Sequence, residues 1–170
     1  ASVESPCVIY DDDHFYIAGL LAERQRQCGD EVVVVTSANC LGSLCDGNLE
    51  QHRAQARLLE VGATLVVAHT VTAFDGASVT LKCVYSGRTH SIPCRTFVPV
   101  TSRQPEESLY LALMAQADKF TAAGIRTVKR LGDCKGPGII AEAVFAGHRY
   151  ARELGVNTAT ASRERVELEA

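Results

Sequence analysis

Two stretches of this sequence carry residue types at spacings that bear on nucleotide chemistry. The first is VIYDDDHFYIAGLLAE, residues 8–23, where an apolar strand-like run meets a helical pattern. A turn of this kind holds a dinucleotide when it reads G-x-G-x-x-G, because glycine lets backbone N–H groups close on the pyrophosphate at a helix N-terminus. Here the turn holds Asp11, Asp12 and Asp13. The next apolar run ends in Thr36, Ser37, Ala38 and Asn39, with no acid for a ribose diol. One carboxylate about 5 Å from a phosphate charge costs about 3 kcal/mol at an effective dielectric of ~20. Ordinary NAD(P)H binding is therefore not expected at this turn. Two readings of the aspartates stay open: capping of the following helix with complementarity to its dipole, or docking of a basic partner surface.

The second stretch is GDCKGPG, residues 132–138. An aspartate at the C-terminal end of a strand, ahead of a helix, lies where α/β proteins place ligands. Its carboxylate suits a sugar or ribityl diol, and the N–H groups around Gly138 suit a phosphate. Gly132, Asp133, Gly138 and Ile139 are the candidate cofactor-binding residues. The alternative is that Asp133 only ties down its turn.

No catalytic residue or metal ligand emerges. The histidines His14, His52, His69, His90 and His148 show no metal spacing. Arg103 and Arg149 stand where they could meet anions, although arginines so placed more often pair with carboxylates or water. Seven cysteines, Cys7, Cys28, Cys40, Cys45, Cys83, Cys94 and Cys134, form no CxxC and mostly sit in apolar runs. They read as reduced structural thiols, and so as a sign of a cytoplasmic protein.

The elements that must position these residues follow from periodicity. CVIY (7–10) and EVVVVTS (31–37) suit buried parallel strands, joined by a helix with Ile17, Leu20, Leu21 and Cys28 at helical spacing and closed by Gly29-Asp30. Asn48 with Gln51 resembles a capping box opening a helix to Val61, followed by a third strand at 64–69. Residues 70–94 contain short β runs divided by Asp75-Gly76 and Ser86-Gly87, the pattern of an antiparallel meander. A strand at 96–102 contains Pro99, which argues for an edge or strand end. A helix from Pro105 to about Ala117, a strand at 125–133 and a helix after Pro137 complete the pattern. The inward face of that last helix is expected to carry Ile140, Val144, Gly147, Ala151 and Leu154.

The expected fold class is α/β: a Rossmann-like parallel sheet with crossover helices and an antiparallel β-meander. At 170 residues, 46% hydrophobic and 22% charged, the composition is that of an ordinary globular chain. The net charge of −3 gives no reason to expect nucleic acid as partner. No apolar run approaches a membrane span.

YDDDHFY, NLEQHRAQARLLEVG, PVTSRQPEESLYLAL and the run AGIRTVKRLGDCKGPGIIAEAVFAGHRYAREL together resemble the C-terminal part of a family of flavin and iron–sulfur oxidoreductases. That family includes trimethylamine, dimethylamine and histamine dehydrogenases, N-methylproline demethylases and 2,4-dienoyl-CoA reductase. The resemblance implies a glutathione-reductase-type FAD/NAD-binding fold. Residues 1–95 match a degenerate NAD-like domain, 96–155 the closing strand and helices of an FAD-like domain, and 156–170 form a polar tail. It further implies an FMN-bearing barrel and a [4Fe-4S] cluster in sequence outside this chain, and a site for ADP or FAD completed by that sequence. The expected partners are the rest of the oxidoreductase, in cis or as a separate subunit, and an electron-transfer protein. Loss of the glycines matches the amine-demethylating branch. The competing readings are a working NAD(P)H-binding domain of a dienoyl-CoA-reductase-like enzyme, or a non-catalytic interaction module.

Overall fold

The computed structural model describes residues 3–155, so the polar tail expected over 156–170 lies outside the described residues. The chain divides into two compact units, Ala1–Ser102 and Arg103–Ala170.

The first unit is built on a parallel sheet of β1 (Cys7–Asp11), β2 (Val32–Thr36), β3 (Thr64–Val66) and β7 (Thr96–Val100), in the order β3-β2-β1-β7. Successive side chains of a strand face opposite sides, and here both sides are covered. Cys7, Ile9, Val32 and Val34 pack with Ala18 and Ala22 of helix α1 (Ile17–Gln27) and Leu58 of helix α2 (Gln51–Glu60). Val8 and Val35 pack on the other side with Val79, Leu81 and Cys94. This two-sided burial explains why β2 reads as an unbroken valine run. The second covering layer is the expected meander: β4 (His69–Phe74), β5 (Ser78–Cys83) and β6 (Thr89–Pro93). Its first turn is tied by Asp75, whose carboxylate accepts the N–H groups of Ala77 at 2.9 Å and Ser78 at 2.7 Å.

Several expectations shift in detail. In α1 the fully buried residues are the small Ala18 and Ala22, which let the helix approach the sheet closely. Ile17 and Leu21 flank this core, while Leu20 is 57% exposed and Cys28 is exposed as well. The capping box at Asn48 does not form. Residues Ser43–Asn48 make a 3-10 turn, Asn48 Oδ1 accepts the Glu50 N–H, and α2 starts at Gln51 without a side-chain cap. Pro99 lies in β7, the edge strand beside β1, as its missing N–H requires. β7 completes this sheet, and the first compact unit runs to Ser102.

The second unit holds helices α3 (Ser108–Met114) and α4 (Ile140–Glu153) and a 3-10 turn at Gly132–Cys134. The helix expected over 105–117 is confined to α3, and no strand forms over 125–133. Leu131 keeps an extended backbone, but a lone strand without a neighbour has no hydrogen-bond ladder to hold it. Pro137 precedes α4 by three residues and lies outside its first turn. The expected inward face of α4 is open, with Ile140 84%, Val144 52% and Leu154 60% exposed. No residue of α3 or α4 is buried. Among the described residues, no helix is long and apolar enough to cross a membrane.

Candidate functional site

The aspartate turn follows β1. Helix α1 begins only at Ile17, with Tyr16 as its cap and no acid in its first turn, so the aspartates do not cap it. Asp11, the last residue of β1, is fully buried. One carboxylate oxygen accepts the His14 N–H at 3.0 Å and the other the Gly42 N–H at 3.3 Å. The N–H groups of Asp12 and Asp13 both donate to the Val100 carbonyl, at 2.8 and 3.0 Å. A third loop contact runs from the Leu44 N–H to the His14 carbonyl at 3.0 Å. The donors that such a turn would aim at a phosphate are thus already engaged within the protein. Asp11 itself supplies the anion.

The polar groups around it complete a small network. Thr36, buried at the end of β2, donates its hydroxyl to the Asp11 carbonyl at 3.1 Å. The His14 ring lies 3.4 Å from both the Thr36 and Ser37 hydroxyls, Nδ1 toward the first and Nε2 toward the second. His14 takes a φ of 58°, a conformation unusual outside glycine. Gly42 has the same φ, and a β-carbon there would stand 3.0 Å from the Phe15 carbonyl, so only glycine lets the loop seat. Burial pushes the Asp11 carboxyl upward, against the pull of the Gly42 and His14 N–H groups. Tyr10 donates its hydroxyl to Asp12 at 3.2 Å, and burial followed by the Asp12 charge pushes its phenol up to about 12. With Asp11 inaccessible, a basic partner could meet only Asp12 and Asp13 here. Sequence reading missed His14, Thr36 and Gly42 as parts of one network, since three separate segments supply them.

The four candidate cofactor residues come together in the second unit. Gly132, Asp133, Gly138 and Ile139 line a cavity of about 250 Å³ with Lys135 and Glu142. Asp133 is exposed and accepts the Gly138 N–H at 3.5 Å, closing the turn. That donor, expected to face a phosphate, is thus directed at Asp133. The Glu142 carboxylate fills the space a β-carbon on Gly138 would take, and as the end of a flexible side chain it can swing aside. An acceptor at Asp133 suits the hydroxyls of a ribose or ribityl chain. The Glu142 charge at the start of α4 opposes a phosphate at the same point. The cavity is smaller than the ~300 Å³ lower range of ligand pockets, so a complete nucleotide needs walls from elsewhere.

The remaining candidates are structural in their contacts. His69 hydrogen-bonds the Val67 carbonyl at 2.7 Å and meets His90 edge to face at 5.3 Å between ring centres. Arg149 pairs with Glu153 at 2.8 Å. All seven cysteines are free, and among the described residues no group of three or more His, Cys, Asp or Glu could hold a metal. Cys83 departs from the inert thiol expected. Hydrogen bonds from the Ser86 side chain and backbone and from the Tyr85 backbone, with His69 nearby, bring its thiol down to about 7.

No protein-family model matches the chain. The sequence is 32% identical over 166 residues to dimethylamine dehydrogenase of Hyphomicrobium sp. (strain x), a match covering 86% of this chain and 22% of that protein. Histamine dehydrogenase from Rhizobium sp. 4-9 is structurally similar, with a TM-score of 0.85 and 37% identity over 98% of this chain and 26% of that one. The 6-hydroxypseudooxynicotine amine oxidase from Pseudomonas geniculata N1 gives a TM-score of 0.78 and 30% identity, over 88% of this chain and 22% of that one. The chain spans between 22% and 26% of the length of these relatives.

Proposed function

We propose, from the premise that this chain is homologous to the C-terminal region of the dimethylamine and histamine dehydrogenase family, that it is the nucleotide-binding-like part of an amine-oxidising flavoprotein. In this reading the first unit is a dinucleotide-binding frame that has lost its ligand, and it serves as structure. The second unit supplies the closing portion of an FAD-like domain. Its Gly132–Ile139 turn contributes the diol-binding corner of an ADP or FAD site whose other walls belong to the rest of the oxidoreductase.

The observation that carries this reading is the engagement of the turn's own donors. The N–H groups of residues 12–14 end on Val100 and Asp11, and the Asp11 carboxylate occupies the place of an anion. A nicotinamide cofactor finds neither free donors nor a ribose acid there, which favours electrons entering from an amine substrate and leaving to a carrier protein. In this reading FMN and [4Fe-4S] belong to the part of the oxidoreductase outside this chain. If a nucleotide binds at the second unit, Asp133 is the acceptor for its hydroxyls.

The test is calorimetric titration of the full-length protein with NADH, NADPH and ADP, together with analysis of its bound nucleotide. ADP as the bound nucleotide, with no saturable NADH or NADPH binding at the aspartate turn, supports the reading. Reduced nicotinamide cofactor binding at ~10 μM or tighter, near −7 kcal/mol, and abolished by substitutions in residues 11–14, overturns it.

A further inference from the structure

We infer that the cleft between α1 and α2 is a binding site for a small amphipathic carboxylate, an apolar body carrying one carboxylate group. The cleft lies within the first unit and is separate from both the Asp11 network and the Gly132–Ile139 turn. Its volume is about 390 Å³, inside the range of small-molecule sites. Gly19 and Ala54 add little bulk to the lining, and Cys45 and Leu58, each 1% exposed, extend the apolar core into it. Tyr16 and Leu20 also line the cleft and stay more than half exposed, at 55% and 57%. Large apolar side chains left in water beside a concave surface are what a ligand with an apolar body covers.

The charged groups decide which head group fits. Arg57 donates two bonds to one oxygen of Glu23, at 3.0 and 2.8 Å, and Glu60 stands 3.7 Å away on its other side. That pair ties α1 to α2 and holds Arg57 between two carboxylates. Arg53 differs: its side chain is 81% exposed and meets Glu50 only at 4.0 Å, the outer limit of an ion pair. Asn48 uses its carbonyl oxygen on the Glu50 N–H, so its amide nitrogen remains as a donor. A guanidinium and an amide at the mouth of an apolar cleft complement a carboxylate. Glu50 and the second carboxylate oxygen of Glu23 are acceptors in the same lining, which makes the amine analogue the informative control.

The experiment is calorimetric titration of the full-length protein with octanoate, using octanol and octylamine as head-group controls. Octanoate should fill one saturable site, with octanol and octylamine at least about tenfold weaker. Arg53→Gln should weaken octanoate about tenfold and leave octanol unchanged, because it removes the charge and keeps the apolar contact. Ala54→Trp should fill the cleft and remove the site for all three ligands. Arg53→Gln alters an exposed side chain, so the inference is still decided where Ala54→Trp fails to fold. No saturable binding of octanoate up to about 10 mM, octanoate binding unchanged by Arg53→Gln, or octylamine binding as tightly as octanoate would each overturn it. The site is distinct from that of the proposed nucleotide, so failure here leaves the ADP result standing.

Discussion

Asp11 is a buried carboxylate with both oxygens occupied by backbone N–H groups. Replacing it with asparagine keeps the size but turns an NH₂ group toward either His14 N–H or Gly42 N–H, so one donor loses its acceptor. Asp11→Asn should lower stability by about 1–3 kcal/mol, the cost of an unsatisfied buried polar group, read as a fall in denaturant midpoint. The pH dependence has a definite sign. Burial raises the Asp11 pKa in the folded protein, so its contribution is fullest below the unfolded value of 3.8 and is lost as pH rises through the raised one. The gap between wild type and Asp11→Asn should therefore narrow from acid toward neutral pH. Cys83 makes the opposite kind of case, a partly exposed thiol whose pKa is lowered by its hydrogen bonds. With its pKa at about 7, it should be the first of the seven cysteines labelled by iodoacetamide, with a rate rising through pH 7 instead of near 9. Ser86→Ala should push that midpoint upward, checked by mass spectrometry of the labelled peptide. Asp133→Asn tests the other site: it should cut bound nucleotide in the full-length protein about 10- to 100-fold and barely move the melting temperature. Unchanged nucleotide with a large fall in melting temperature would leave Asp133 as a turn residue only.

At the scale of elements, the loop at 37–48 is held against the β1–α1 turn by Gly42 and Leu44 N–H groups, and Gly42 is the position that cannot change. Gly42→Ala should cost about 1–2 kcal/mol from its left-handed backbone and more from the Phe15 contact. In hydrogen exchange it should deprotect the amides of Gly42 and Leu44 before those of β1. Much of this architecture was legible beforehand. Runs such as VVVV and the Asp-Gly and Ser-Gly turns have local physical causes, so the parallel strands and the meander could be read from them. The capping box at Asn48 was misleading because the 3-10 turn at Ser43–Asn48 took that residue first. The role of Asp11 was not legible at all. A carboxylate ahead of a helix reads as a cap, and only the approach of a loop thirty residues away shows what it accepts. The strand expected at 125–133 failed for a related reason: apolar β-branched residues state a preference, but pairing needs a neighbour that this chain does not place beside them.

For the whole molecule, the contrast between the two units is one of completeness. The first has a sheet covered on both faces; the second leaves Ile140, Val144, Phe145 and Leu154 about half exposed or more. The 170-residue chain alone should therefore bind the dye ANS strongly, and the full-length protein should bind much less per molecule. Equal dye binding would show that this apolar surface is not covered by the rest of the polypeptide. The Asp11 network has one more consequence, for engineering and for descent. In an ordinary empty binding site, a single substitution can restore a lost contact. Here a glycine at residue 11 removes the acceptor for the buried Gly42 amide and the half-buried His14 amide while Asp12 and Asp13 stay bonded to Val100, so that step lowers stability and gains no ligand. On the proposed reading the turn acts as a ratchet: with the Asp11 side chain in an anion's place, regaining a phosphate there requires several coordinated changes at once.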